Sequence, residues 1–209
     1  MSGAITTDEE VLAQLGMRLD GPGSGEVEAA CARIARRIRG DQLRVVGFVP
    51  CSDVVAVPPV IVQLGLALCN LTGATIAVVD ANVRYPALAG LTRGLDRTGD
   101  ERGASPKGDS VFSTRWLRGS LALLSPPKGE HAGDVVPQLA RVLLDGADLF
   151  AHVLVDLTGF ELLGEHASAA ACMDAVALVG RAHHTTEREV IELAHLMPRG
   201  RFLGVMLVG

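Results

Sequence analysis

Aromatic residues are scarce, at 3% of the chain, and no apolar run approaches the ~18 residues that a membrane span requires. The longest candidates, 54–68 and 149–157, are interrupted by Pro58, Pro59, Gln63, Gly65, His152 and Asp156. The first 14 residues are acidic and lack the apolar core of a secretion signal, so a cytoplasmic location is expected. Cys31, Cys51, Cys69 and Cys172 form no CxxC pair, which excludes a zinc knuckle and a disulfide framework; they are expected to pack as small reduced thiols. His183, His184 and His195 offer no i, i+4 pair with a third ligand, so no metal is expected. There is no GxSxG hydrolase elbow. A net charge of −5 argues against general nucleic-acid binding.

What is abundant is Ala, Val and Leu. The hydrophobic fraction is 48% and the mean hydropathy +0.31, the composition of Val/Leu-rich strands covered by Ala/Leu-rich helices. Residues 1–25, with the Gly/Pro/Ser run at 20–25, read as a flexible N-terminal arm, and 26–209 as a single domain. A helix is expected over 26–39, with Val27, Ala30, Ile34 and Ile38 on one side, closed by Gly40. Apolar strands are expected at 43–49, 75–80, 120–124, 151–156, 173–179 and 202–208. Between them lie helical runs at 60–71, opened by Pro58 and Pro59 and ended by Gly73, then 135–144, and 187–197, capped by Thr185 or Thr186. A short apolar piece, 87–91, precedes a polar, Gly-rich surface loop at 92–110. Strands alternating with helices predict a three-layer, doubly wound, mostly parallel α/β sheet. Sites in such sheets lie at the carboxyl ends of strands, here 50–57, 80–84 and 156–159.

Three segments carry a resemblance. Residues 78–86 resemble an aspartate–x–aspartate–x–arginine–x–proline stretch: Asp80, Arg84 and Pro86 match, and Asn82 replaces the second aspartate. Residues 153–156 resemble a Walker B strand ending in its acid, Asp156. Residues 174–181, then Thr185 or Thr186, then the Gly204 strand, resemble the closing strands of the same pattern, with Val208 in place of an adenine-side asparagine. The proline pair 126–127 after the third strand matches as well. Their order and spacing resemble the bacterial tyrosine kinases and the related Par/Min deviant-Walker ATPases, which implies a P-loop NTPase-like domain over 26–209.

Counting back from Gly73 places Pro58 at the Walker A lysine of that family, Pro59 and Val60 at its hydroxyl positions, and Val55 and Val57 at its glycines. The loop therefore runs through Cys51, Ser52, Asp53, Val57, Pro58 and Pro59. A phosphate-binding loop needs backbone amides curled round an anion, a lysine and a magnesium-binding hydroxyl. Here no glycine lies between Val49 and Leu64, and no lysine between residues 40 and 106. Two prolines remove amide donors, and Asp53 adds negative charge. No catalytic residue and no cofactor is therefore assigned. Asp80, Asn82, Arg84 and Asp156 read as remnant Walker positions, with Asp80 and Asp156 kept for hydrogen bonding in preference to metal binding. Cys51, at a helix start, reads as a packed thiol in preference to a reactive one.

The resemblance implies a pseudo-ATPase or pseudo-tyrosine-kinase. Such a chain acts as scaffold or regulator of an envelope polysaccharide synthesis or export complex, reached at the inner membrane through a membrane-bound co-polymerase partner. The family's Glu-x-x-Arg-x-x-Arg oligomerisation motif is matched by Arg33 and Arg36 but has Ala30 at the acid; with Arg37 these make the 26–39 helix a candidate interaction surface, and homo-oligomerisation stays open. Two other readings stay open as well: a Par/Min-type positioning ATPase with an atypical loop, and a self-assembling structural module.

Overall fold

The computed structural model describes residues 7–17, 24–81, 86–92, 113–125, 140, 143, 149–160 and 166–209. In chain order these form helix α1 (Asp8–Gln14), α2 (Ser24–Gly40), strand β1 (Val45–Pro50), α3 (Val57–Thr72), β2 (Ile76–Asp80), the short α4 (Ala89–Thr92), β3 (Ser113–Leu117), β4 (Leu121–Ser125), β5 (His152–Asp156), α5 (His166–Ala170), β6 (Ala175–Arg181), α6 (Glu187–Leu196) and β7 (Phe202–Val208).

The strands make one seven-stranded sheet in the order β3-β4-β2-β5-β1-β6-β7, parallel except for β3. Strands β1, β2, β4 and β5 are buried almost throughout, which is why they read as unbroken apolar runs rather than alternating ones. One face carries Val46, Phe48, Ile76, Val78, Leu121, Leu123 and Leu154 against α1, α2 and α3. The other carries Val49, Ala77, Val79, Val153, Val155 and Leu178 against residues around α5 and α6. These are the three layers expected of a doubly wound fold. Gly47 lets the second layer approach closely: a Cβ there would lie 2.8 Å from Leu157 Cδ1.

The N-terminal arm corrects the expectation of flexibility. Residues Asp8–Gln14 form a helix with a complete capping box between Thr7 and Glu10, and Val11 and Leu12 are buried in the core of the first face. Asp8 Oδ2 accepts from the Arg118 backbone N–H across 110 residues of sequence. The Thr7-x-x-Glu10 capping signal lies N-terminal to the Gly/Pro-rich run at 20–25. Strand β3 is also additional to the six expected. It is an edge strand, buried on one side only, and its five residues include Arg115 and Trp116, which dilute the apolar signal.

Helix α2 buries Cys31, Ala35 and Ile38, while Val27 is 47% exposed. The expected stripe therefore meets the core only toward its C-terminal end, at Ile38 and in part at Ile34, and diverges from it at Val27. Its chain reversal falls on Gln42 (φ 55°), two residues beyond Gly40, with the Leu43 N–H donating to Ile38 O. Gly73 ends α3 in the left-handed conformation (φ 66°), as its position suggests. The expected loop 92–110, apart from Thr92, which ends α4, lies outside the described residues, as do the proline pair 126–127 and most of the expected helix 135–144; Ala140 and Leu143 within that helix are helical.

Candidate functional site

The chain leaves β1 toward β2 in one direction and β5 toward β6 in the other, so the sheet's winding reverses between the adjacent strands β1 and β5. That reversal opens a crevice at their carboxyl ends. The loop after β1 lies there. Cys51 N–H still donates to Val179 O at 2.8 Å, extending the sheet pairing past Pro50. A turn follows, with Val55 N–H donating to Ser52 O at 3.2 Å. Val55 and Val57 are buried, whereas Val54 and Asp53 are exposed. The turn is thus pinned by inward-pointing valines.

Helix α3 begins at Val57 with Ala56 as an extended N-cap that supplies no side-chain hydrogen bond. A helix N-terminus offers the amides of the cap and first three residues to an anion. Here those residues are Ala56, Val57, Pro58 and Pro59, so two of the four donors do not exist. The prolines are compatible with helix geometry in the first turn. They build the helix while removing two of the amides that an anion there would use.

A cavity of about 320 Å³ lies against this terminus, lined by Pro58, Pro59, Val55, Asp156, Thr158 and Gln14 among others. No lysine or arginine is among its described lining residues. Among the described lining residues the one acidic side chain is Asp156. The end of α1 contributes Gln14 and Leu15 to the rim, a participation that the sequence pattern did not suggest.

Asp80 and Asp156 are register partners and the last residues of β2 and β5, and Ala81 N–H donates to Asp156 O at 3.1 Å. Both are buried. Each is engaged internally. Asp80 Oδ2 accepts from Leu88 N–H at 2.8 Å, which ties the 86–92 segment to the sheet. Asp156 Oδ1 accepts from Thr158 N–H at 2.9 Å and from the Thr158 hydroxyl, an Asx-turn that shapes the exit of β5. The Asp-x-Thr spacing at 156–158 was the available signal for this contact. Asn82 and Arg84 lie outside the described residues.

Cys51 lies toward α6, not over the start of α3. Burial, reinforced by the Glu189 carboxylate, pushes its thiol above the ordinary range. This is opposite to the activation that a helix N-terminus produces. The arginines of α2 are not brought to the crevice loop as a group. Arg33 and Arg37 line a separate groove beside β7, and Arg36 faces the C-terminal half of α3. Arg37 also makes an exposed contact with Asp41 at 3.6 Å. Among the described residues no cluster of three His, Cys, Asp or Glu side chains could hold a metal, and no helix is long and apolar enough to cross a membrane.

No protein-family model matches the chain, and no curated protein is detectably similar to it. Solved structures are. The kinase domain of VpsO is similar at TM-score 0.68 and 20% identity, over 95% of this chain and 97% of that one. The chimerical protein CapA2B2 is similar at 0.67 and 16%, over 96% and 98%. The BceF tyrosine kinase domain is similar at 0.65 and 17%, over 89% and 77%. The P-loop NTPase-like architecture of bacterial tyrosine kinase domains, read from residues 78–86, 153–156 and 174–208, is therefore the architecture of this chain.

Proposed function

We propose that this chain is a non-catalytic relative of the bacterial tyrosine kinase domains, a pseudo-ATPase that serves as a scaffold or regulator. The observation that carries the reading is the start of α3, where Pro58 and Pro59 replace two of four amide donors beside a cavity whose described lining holds a carboxylate and no cation. A triphosphate there would meet Asp156 without a lysine to offset it. Losing the lysine contact alone removes roughly 1.5–3 kcal/mol. The domain, 26–209 with α1 docked on it, is kept for its surfaces. By analogy with the kinase family, its setting is an envelope polysaccharide synthesis or export complex, and its partner a membrane-bound co-polymerase that brings it to the inner membrane from the cytoplasm. Asp80, Asn82, Arg84 and Asp156 are then remnants retained for the fold.

Equilibrium titration with a fluorescent ATP analogue and Mg²⁺ tests this. No saturable binding is expected up to about 1 mM, the weak end of specific affinity. A micromolar Kd would sink the proposal. One observation favours a second reading: the side-by-side placement of Asp80 and Asp156 is what a nucleotide-dependent Par/Min-type ATPase would need for magnesium. That reading expects ATP-dependent dimerisation in sedimentation velocity, and the pseudo-ATPase reading expects none.

A further inference from the structure

A second cavity, of about 760 Å³, meets the crevice loop at Pro59 and extends away from it. It is a groove on the first face of the sheet, walled by α2 on one side and floored by β7. Three features distinguish it from an ordinary surface cleft. Among the described residues the helical layer stops short of it: α3 packs across β1, β2, β4 and β5, and α2 packs on α3, so that no described helix lies over the edge strand β7. Leu203, Met206 and Val208 point toward this layer yet are only half-buried. The shift of side chains at the Gly204 bulge (φ 138°) is what puts Met206 and Val208 on this face after Leu203.

Second, α2 carries two apolar stripes. Cys31, Ala35 and Ile38 are buried in the core. Val27, Ala30 and Ile34, at i, i+3 and i+7, line the groove. A helix apolar on two sides expects helical neighbours on both. Third, the groove's α2 rim carries Arg33 and Arg37, with Glu26 alone at the opposite end of the helix.

We propose that this groove is the docking site for an amphipathic helix of a partner protein whose flank facing α2 carries acidic side chains. Helices pack 8–10 Å apart and parallel strands about 4.8 Å apart, so the next helix of the layer beyond α2 would stand over β7. Its apolar stripe would cover Leu203, Met206 and Val208 together with Val27 and Ile34. Its acidic flank would meet Arg33 and Arg37, which sets its direction and register. A strand added to the β7 edge would lie in the plane of the sheet and leave the second stripe of α2 uncovered. A second copy pairing through β7 would bring two sets of Arg33 and Arg37 to one cleft, like charge against like. The chain's own acidic helix α1 is committed elsewhere, with Val11 and Leu12 buried.

The test is a display selection of 16-residue peptides on the whole chain, counter-selected on Met206→Asp, which places a charge on the half-exposed groove floor. Enriched sequences are expected to show apolar residues at i, i+3 or i+4 and i+7, with Asp or Glu along one flank. The best synthetic peptide should bind the wild type at least tenfold tighter than Met206→Asp by fluorescence anisotropy. It should lose a similar factor against Arg33→Glu/Arg37→Glu and regain it when its own acids are changed to Lys. Circular dichroism melts of the variants matching the wild type establish that they fold. Strand-like alternating sequences, no enrichment, binding indifferent to Met206→Asp, or a concentration-dependent dimer that Met206→Asp dissolves would each overturn the proposal. The groove meets the crevice at Pro59, but the contacts proposed here involve none of the loop residues, so their failure leaves the reading of the phosphate loop standing.

Discussion

Three strand exits lie side by side at the crevice, and that of β1 differs in kind from those of β2 and β5. The exit of β1 keeps its path, from a sheet-paired Cys51 through buried Val55 and Val57 into α3, but its residues offer an anion almost nothing. The exits of β2 and β5 keep their acids, Asp80 and Asp156, side by side and buried. The difference lies in who else uses the group. Each acid is a hydrogen-bond acceptor for its own chain, Asp80 for the Leu88 amide and Asp156 for Thr158. A lysine or glycine in a phosphate loop serves the ligand, and on the pseudo-ATPase reading proposed above nothing in the fold requires it. Carboxylates survive where removing them would leave a buried amide unpaired.

The sharpest way to break this contrast is Asp80→Ala. It strands the Leu88 N–H in the interior and should lower the unfolding free energy by roughly 1–3 kcal/mol in a urea titration. No loss would mean that the acid is not held for the fold. Smaller is Thr158→Val, which removes the hydroxyl donor to Asp156 but leaves the backbone one; about 1 kcal/mol is expected by the same method. Smaller again is Pro58→Ala, whose cost should stay near 0.4–1 kcal/mol, because the proline acts chiefly by limiting the unfolded chain. The alanine restores one amide, and a Kd for Mg-ATP falling into the micromolar range on that single change would show the loop to be far closer to function than its residues suggest. The smallest effect concerns Cys51. With its thiol pushed upward by burial and by Glu189, the thiolate is scarce near pH 8, and alkylation mapped by mass spectrometry should accelerate only at a pH above that of the same cysteine in the unfolded chain. Glu189→Gln should shift that profile slightly downward. A profile already below the unfolded one would mean that the helix start is an electropositive site after all.

The readable parts of this molecule are those whose signal is local. Buried parallel strands such as Ile76–Asp80 and His152–Asp156 are runs of Val, Leu and Ile with no alternation, and Gly73 marks a helix end because a left-handed residue is needed there. The emptied anion site is readable for the same reason: a proline deletes an amide wherever it stands. Helix α1 was legible only in its Thr-x-x-Glu capping signal, since seven residues of mixed polarity become a helix through what Val11 and Leu12 meet. Strand β3 escaped because Arg115 and Trp116 make sense only opposite β4. Of the two apolar stripes on α2, periodicity proposes both, but which is buried depends on where α3 lies.

By itself, then, the order of residues determined the class of fold, the three segments that converge, and the absence of glycine and lysine from 50–60. These follow from short-range rules of backbone geometry and polarity. The tertiary structure alone decided that α1 closes on the crevice rim, that Asp80 and Asp156 are neighbours with partners of their own, and that Val27, Ile34 and Met206 face one uncovered groove. Those facts join residues tens to more than a hundred positions apart, and only packing determines which distant side chains share a surface.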